Sequence, residues 1–223
     1  MKIGFIQKTT LIDYPGKVAA TIFTSGCNFR CRFCYNKDLV EGTVEEISEK
    51  EVFDFLESRK GLLEAIVICG GEPTIHSDLP EFISKIKDLG FLVKLDTNGT
   101  NIDVLRKSID LVDYIAMDVK APKAKYKEIV GIDYDVQESI DLIKNSNVDY
   151  EFRTTLVPGL VEKKEIMGIV KWISPAKRYI IQNFIAQDTI IDESLRDKKS
   201  FEDQYIEGII EEIKDSFDEV KFR

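Results

Sequence analysis

Histidine occurs once in this 223-residue chain, tryptophan once and cysteine four times. A structural zinc site is usually built from two separated pairs of nitrogen or sulfur ligands, and a single histidine leaves it few donors. Basic residues are in the minority, 31 against 40 acidic, for a net charge of −9. That balance argues against a broad nucleic-acid surface or an anionic-membrane face, both of which need a basic patch. No apolar run approaches the roughly 18 residues of a membrane span. The opening MKIGFIQKTT has no apolar stretch of signal-peptide length. Nor does a serine- or proline-rich linker or a break in composition divide the chain. The expectation is one cytoplasmic domain over residues 1–223, with neither nucleic acid nor membrane as a partner. A hydrophobic content of 43 % supports a sizeable core.

Short β-rich runs alternate with longer stretches of helical pattern. The runs Val18–Thr24, Ala65–Gly70, Val93–Thr97, Tyr114–Lys120, Tyr150–Val157 and Arg178–Phe184 read as core strands. Between them, apolar residues recur at three- and four-residue spacing, as in Leu79, Phe82, Ile83 and Ile86. Such alternation indicates βαβ units and a parallel sheet. Ahead of them, Lys2–Thr10 and Val18–Thr24 flank IDYPGK, a turn that predicts a leading hairpin. The tail predicts an acidic helix over Phe201–Ser216 and a strand at Val220–Phe222. Six βα units are too few for a closed eight-fold barrel. The fold expected is α/β, an open partial (βα)6 TIM-like barrel, with a flavodoxin-like sheet as the alternative. Both architectures put chemistry at the C-terminal ends of the strands. The unusual residues fall there: CGGEPT, DTNG, DVKAP, RTTLVPG and QNF end successive strands.

Three of the four cysteines crowd into SGCNFRCRFCYN, spaced C-x3-C-x2-C as Cys27, Cys31 and Cys34. Clustered cysteines in a reducing compartment more often bind metal or do redox work than form disulfides. Zinc would need a fourth ligand, for which Cys69 and His76 are the candidates. Three thiolates suit a [4Fe–4S] cluster with one iron left open, and the spacing favours that reading without closing the zinc alternative. The run resembles the signature of the radical S-adenosylmethionine (SAM) superfamily, C-x3-C-x-aromatic-C, residue for residue through Phe33. The resemblance implies a barrel of the radical SAM type and a [4Fe–4S] cluster on Cys27, Cys31 and Cys34. It also implies SAM chelated at the open iron, with Phe33 near the adenine.

The remaining motifs are read beside that resemblance. Gly70 and Gly71 allow close backbone approach to a ligand, and Glu72 offers an acceptor for a cationic amino group. By the family's GGE motif these residues bind the methionine ammonium of SAM; a glycine turn with a solvated glutamate is the bland alternative. Asp96, Thr97 and Asn98 end one strand. Asp118 and Lys120 end the next and face the same way if that strand persists. Two carboxylates and an ammonium there would fix the ribose hydroxyls and carboxylate of SAM, bind a small cation, or form a structural salt bridge. Arg153 would pair with the SAM carboxylate, with substrate, or with a structural acid, and Gln182 ends the last core strand beside the presumed adenine. His76 reads as a surface loop residue, Cys69 as a buried strand thiol acting as a small hydrophobe, and Trp172 as a core residue.

Motifs from IDYPGKVAATIFTSGCNFRCRFCYN to YIIQNF span nearly the whole chain. Their order is similar to that of the activating proteins of anaerobic ribonucleoside-triphosphate reductase and of pyruvate formate-lyase. The one departure is Tyr35, where the family pattern CHN has histidine; it puts contacts around the cluster in question rather than the cluster itself. The resemblance implies reductive cleavage of SAM to a 5′-deoxyadenosyl radical. That radical would then generate a glycyl radical on a partner such as an anaerobic ribonucleotide reductase, with a flavodoxin or ferredoxin-type reductant. Two rivals stand beside it: a compact small-molecule enzyme of the 7-carboxy-7-deazaguanine synthase kind, and a non-catalytic iron–sulfur or zinc module.

Overall fold

A computed structural model describes residues 1–223. Strand β1 (Ile3–Thr10) pairs antiparallel with β2 (Ala19–Thr24) across the IDYPGK turn. Gly16 sits there at φ +68°, a conformation that glycine adopts without a Cβ penalty. The Thr21 hydroxyl donates to Asp13 at 2.7 Å and ties the turn to the strand. From β2 onward every pairing is parallel: β3 (Ala65–Gly70), β4 (Leu92–Thr97), β5 (Tyr114–Asp118), β6 (Asp149–Leu156), β7 (Ala176–Asn183) and β8 (Phe217–Phe222). The strands run in sequence order across one eight-stranded sheet whose end strands, β1 and β8, do not pair with each other. This is the hairpin, the six βα units and the tail strand that the pattern predicts, curled but not closed.

Helices α1 (Lys37–Glu41) and α2 (Glu49–Ser58) follow β2, α3 (Leu79–Asp88) follows β3, and α4 (Ile102–Ser108) follows β4. Next come α5 (Tyr126–Val130) and α6 (Gln137–Lys144) after β5, α7 (Lys163–Ile173) after β6 and α8 (Asp203–Ile213) after β7. Ser48 and Glu51 form a capping box that starts α2, each satisfying an otherwise orphan donor of the other's backbone. The acidic tail helix is shorter than the Phe201–Ser216 expected, because its last turn tightens to a 3-10 turn before β8. Strand β5 also stops early. One more bond continues past Asp118, from the Val119 amide to the Arg153 carbonyl at 2.8 Å. Pro122 then has no N–H to offer a ladder.

The two faces of the sheet differ in chemistry. Outward residues such as Ile66, Ile68, Val93, Leu95, Ile115 and Phe152 are fully buried under the helices in the main core. Inward residues alternate with them along each strand. Their apolar members Ala19, Ala65, Val67 and Tyr114 make only a small plug with Tyr14 of the hairpin turn. Beneath the plug, at the N-terminal ends of the strands, lies a polar cavity of about 340 Å³ that includes Glu151 and Arg178. Above it the inward face is charged, and that face leads to the strand C-termini.

Candidate metal centre and adjoining pocket

The cysteine loop leaves β2 at Ser25 and is held mostly by main-chain bonds. The Ser25 amide donates to Lys2 O at 3.0 Å and the Gly26 amide to Leu39 O at 2.7 Å. Further along, Arg30 N bonds Val130 O at 2.8 Å and Arg32 N bonds Ile129 O at 3.1 Å, so the end of α5 braces the loop's far side. Gly71 lies flush against its near side. A Cβ on Gly71 would come within 1.9 Å of the Gly26 carbonyl oxygen, and one on Gly70 within 2.3 Å of the Thr24 amide nitrogen. Both glycines are needed for the chain's own close packing, quite apart from any ligand.

One cavity of about 360 Å³ opens at the C-terminal ends of the strands, and every candidate residue from Cys27 to Gln182 lines it. Cys31 is buried, while Cys27 and Cys34 are half-buried. No three cysteine, histidine or acidic side chains close around a single ion. The three thiols instead share the wall of a space wide enough for a polynuclear group. The Phe29 amide donates to Cys27 Sγ at 3.4 Å, which stabilises charge on that sulfur. Three soft donors beside an open cavity fit an iron–sulfur cluster that takes its remaining ligand from outside the chain. Burial pushes the Cys27 thiol up to about 11, with Glu72 adding to the rise, and burial pushes Cys31 up to about 12.

Glu72 is 1 % exposed and turns into the protein. Its Oε1 accepts from the Thr74 amide (3.0 Å), the Thr74 hydroxyl (2.6 Å) and the Thr97 hydroxyl (2.7 Å), and its Oε2 accepts from the Asn98 amide at 2.6 Å. Burial raises its pKa against the pull of those bonds. The carboxylate expected from sequence to accept an amino group thus also takes four protein donors, three of them on Oε1, and it ties the end of β3 to the end of β4. Asn98 extends the tie, its Nδ2 donating to Asn28 Oδ1 in the cysteine loop at 3.0 Å.

A row of alternating charges crosses the floor of the cavity. Lys94 Nζ meets Asp96 Oδ1 at 2.5 Å, and Asp96 Oδ2 meets Arg153 Nη1 at 2.7 Å. Arg153 Nε then meets Asp118 Oδ1 at 2.8 Å, and Asp118 Oδ2 meets Lys120 Nζ at 2.8 Å. Burial works against the charge on Asp118, but Arg153 and Lys120 outweigh it and hold the carboxyl well below the usual range. Burial likewise opposes the charge on Lys120, and Asp118 overcomes it. Asp118 and Lys120 meet although β5 has ended between them. Both carboxylates are bridged by cations, which leaves no free acidic pair for a small cation. The structural salt bridge is thus the arrangement present.

Lys94 escaped the sequence reading. Its signal was a lysine set among apolar residues in LVKLDT, where it is 1 % exposed. Thr155, Asn183, Ile185 and Gln187 also line the cavity without having been anticipated. Cys69, expected to act as a buried hydrophobe, lines it too and is half-buried, because its position on β3 points inward beside Phe23 of β2. His76 is a half-buried brace with Nε2 at 3.1 Å from Ser25 O, not a free surface residue. Trp172 packs edge-on to Tyr126 as a partly buried margin of the core, and its Nε1 donates to Gln137 at 2.7 Å.

Residues 21–173 match the family model of the radical SAM superfamily. A Methanocaldococcus jannaschii protein named "putative glycyl-radical enzyme activating enzyme" is 36 % identical, over 93 % of this chain and 93 % of its own length. Streptococcus suis SuiB bound to S-adenosylmethionine superposes with a TM-score of 0.63 at 14 % identity, over 89 % of this chain and 48 % of that one. A domain of pyruvate-formate lyase-activating enzyme from Bacteroides vulgatus gives 0.59 at 12 % identity, over 71 % and 98 %. At such identities the two superpositions show a shared fold alone.

Two outcomes follow from this geometry. Replacing Lys94 by methionine strands one oxygen of Asp96 in the barrel, and removal of one partner from a buried pair costs about 3–5 kcal/mol. Urea titration should register a loss of that order; a change below roughly 1 kcal/mol would mean that Arg153 alone satisfies Asp96. The second concerns pH. Thiols held protonated by burial must release protons to bind metal, so higher pH favours binding. Anaerobic loading with iron and sulfide should accelerate between pH 7 and 9. A pH-independent rate would show the thiols already ionised in the metal-free protein.

Proposed function

The chain belongs to the radical SAM superfamily, and from that membership we propose that it installs a glycyl radical on a partner protein, such as an anaerobic ribonucleoside-triphosphate reductase. The observation that carries this reading is the likeness over nearly the full length to a protein named for that activity, 36 % identical across 93 % of both chains. The absence of pairing between β1 and β8 supports it, since a barrel open along one side leaves a route for a polypeptide segment.

Cys27, Cys31 and Cys34 hold a [4Fe–4S] cluster and leave one iron for SAM. When bound and reduced by a flavodoxin or ferredoxin-type donor, these cofactors supply a 5′-deoxyadenosyl radical, and the radical chemistry is theirs. The chain's share is binding, orientation and exclusion of water. The charge row carries three cations against two anions, so Arg153 and Lys120 favour a carboxylate above the floor. The backbone at Gly70 and Gly71, with the Glu72 carboxylate whose Oε2 takes a single protein donor at the cavity wall, meets the amino group of SAM. Phe33, buried beside the cysteines, supplies an apolar face for the adenine, and Gln182 an amide at its edge.

The test is isotopic. With the host's glycyl-radical enzyme deuterated at its radical glycine, anaerobic reaction should leave deuterium in 5′-deoxyadenosine and a stable radical on the partner. Alanine at any one of Cys27, Cys31 or Cys34 should abolish SAM cleavage, whereas Cys69→Ala should retain the cluster. Deuterium arriving only from a small metabolite would replace this reading with that of a small-molecule radical SAM enzyme. Loss of the cluster on changing Cys69 would make it a fourth ligand and leave no open iron.

A further inference from the structure

The segment between β7 and α8 is bound to the cysteine loop at several points, and Tyr35 is the side chain at the centre of them. Its base is closed by Asn183 and Phe201, which exchange two bonds: Asn183 Nδ2 to Phe201 O at 2.8 Å and Phe201 N to Asn183 Oδ1 at 3.1 Å. Its middle runs beside the cysteines. The Ile191 amide donates to Cys34 O at 3.2 Å, the Asp192 amide to Arg32 O at 3.0 Å, and Arg32 Nε to Asp192 Oδ2 at 2.7 Å. Ile190 and Leu195, 1 % and 2 % exposed, sink into the main core. At its start, Phe184 is fully buried and stacks with the Tyr35 ring at 6.1 Å between centroids. The Tyr35 hydroxyl accepts the Ile185 amide at 3.0 Å.

The result is a wall on the side of the cavity next to Cys34. Asn183, Ile185 and Gln187 face the cavity, and Ile185 is 61 % exposed. An exposed β-branched side chain and a free amide at the rim suit a polypeptide: one apolar contact and one group able to bond a peptide unit. Tyr35 stands at the position where the cysteine motif was expected to continue with histidine. An imidazole is shorter than a phenol and lacks its para oxygen, so it cannot hold the Ile185 amide from the same ring position.

We infer that Tyr35 is a positioning residue: through its hydroxyl and ring it fixes the Phe184–Gln187 stretch as the wall against which the substrate polypeptide lies. The inference rests on the proposed action upon a partner protein, which the first part of its test does not need. Hydrogen exchange in the metal-free protein reads the bond directly. Tyr35→Phe removes the hydroxyl and keeps the ring, so the Ile185 amide should exchange roughly fivefold faster. The amides of Ile191 and Asp192, which bond main-chain oxygens, should keep their protection and show that the variant is folded. Unchanged protection at Ile185 would overturn the inference.

The second part separates positioning from a merely structural role. In the loaded enzyme, Tyr35→Phe and Ile185→Ala should each raise KM for the partner protein by roughly fivefold or more, with a smaller change in kcat. Tyr35→His should show the same KM defect and fail to rescue. Equal falls in kcat with KM unmoved would overturn the inference while the partner reading stood. No radical on any partner would overturn that reading and with it the polypeptide wall, even where Ile185 exchange had risen.

Discussion

A row of five charged side chains crosses the upper part of this sheet's inward face, and the positions of the strand ends depend on it. Water cannot freely neutralise charges on an inward face walled by backbone. Each carboxylate is therefore bridged between two cations: Asp96 between Lys94 and Arg153, Asp118 between Arg153 and Lys120. Burying any one ion alone would cost several kcal/mol, and the alternation offsets that cost along the whole row. The row spans β4, β5 and β6 and reaches the turn beyond β5, so it cross-links three strands where the sheet is not covered by the apolar core. The two faces are thus stabilised by different physics. Hydrocarbon burial holds the outward face, and fixed charge order holds the inward one.

Above the row, placement passes to the main chain. Gly70 and Gly71 let the end of β3 touch the start of the cysteine loop, where the Glu72 amide donates to Gly26 O at 2.8 Å. The Glu72 carboxylate then gathers donors from Thr74, Thr97 and Asn98. A buried acid with four donors is a strong local anchor, because leaving any of those groups unpaired would cost more than the bond itself contributes. The same residues that read as a ligand-binding motif also build the scaffold under the site, and the two roles share one constraint on backbone approach.

Most of the architecture was legible because period and punctuation agree. Apolar residues at helical spacing alternate with β-branched runs, and the Pro15–Gly16 turn marks the hairpin. The cysteine spacing pointed to chemistry, and the candidate residues drawn from successive strand ends do converge on one cavity. What the sequence concealed was direction. Glu72 read as a ligand acceptor and is also a scaffold anchor, because nothing in CGGEPT reveals that Thr97 and Asn98 arrive 25 and 26 residues later to bond its oxygens. Lys94 was hidden among apolar neighbours, since its partner Asp96 faces the same way only once the strand exists. Cys69 passed for core because an apolar run does not say which alternate residues face a barrel's interior. His76 and much of the segment after β7 reach their partners through main-chain oxygens and amides, which carry no residue-specific signal.

At six points the cysteine loop is suspended from peptide groups: carbonyls at Lys2, Leu39, Ile129 and Val130, and amides at Ile191 and Asp192. Peptide groups are common to nearly every residue, so most substitutions in those supporting segments leave the suspension points in place. A change of chain length does not. Dropping one residue before Val130 or Ile191 would move each support by a full peptide spacing of about 3.8 Å, further than any hydrogen bond can stretch. The loop is therefore tolerant of spelling and intolerant of metre: its shape is recorded in the count of residues between its supports more than in their identities.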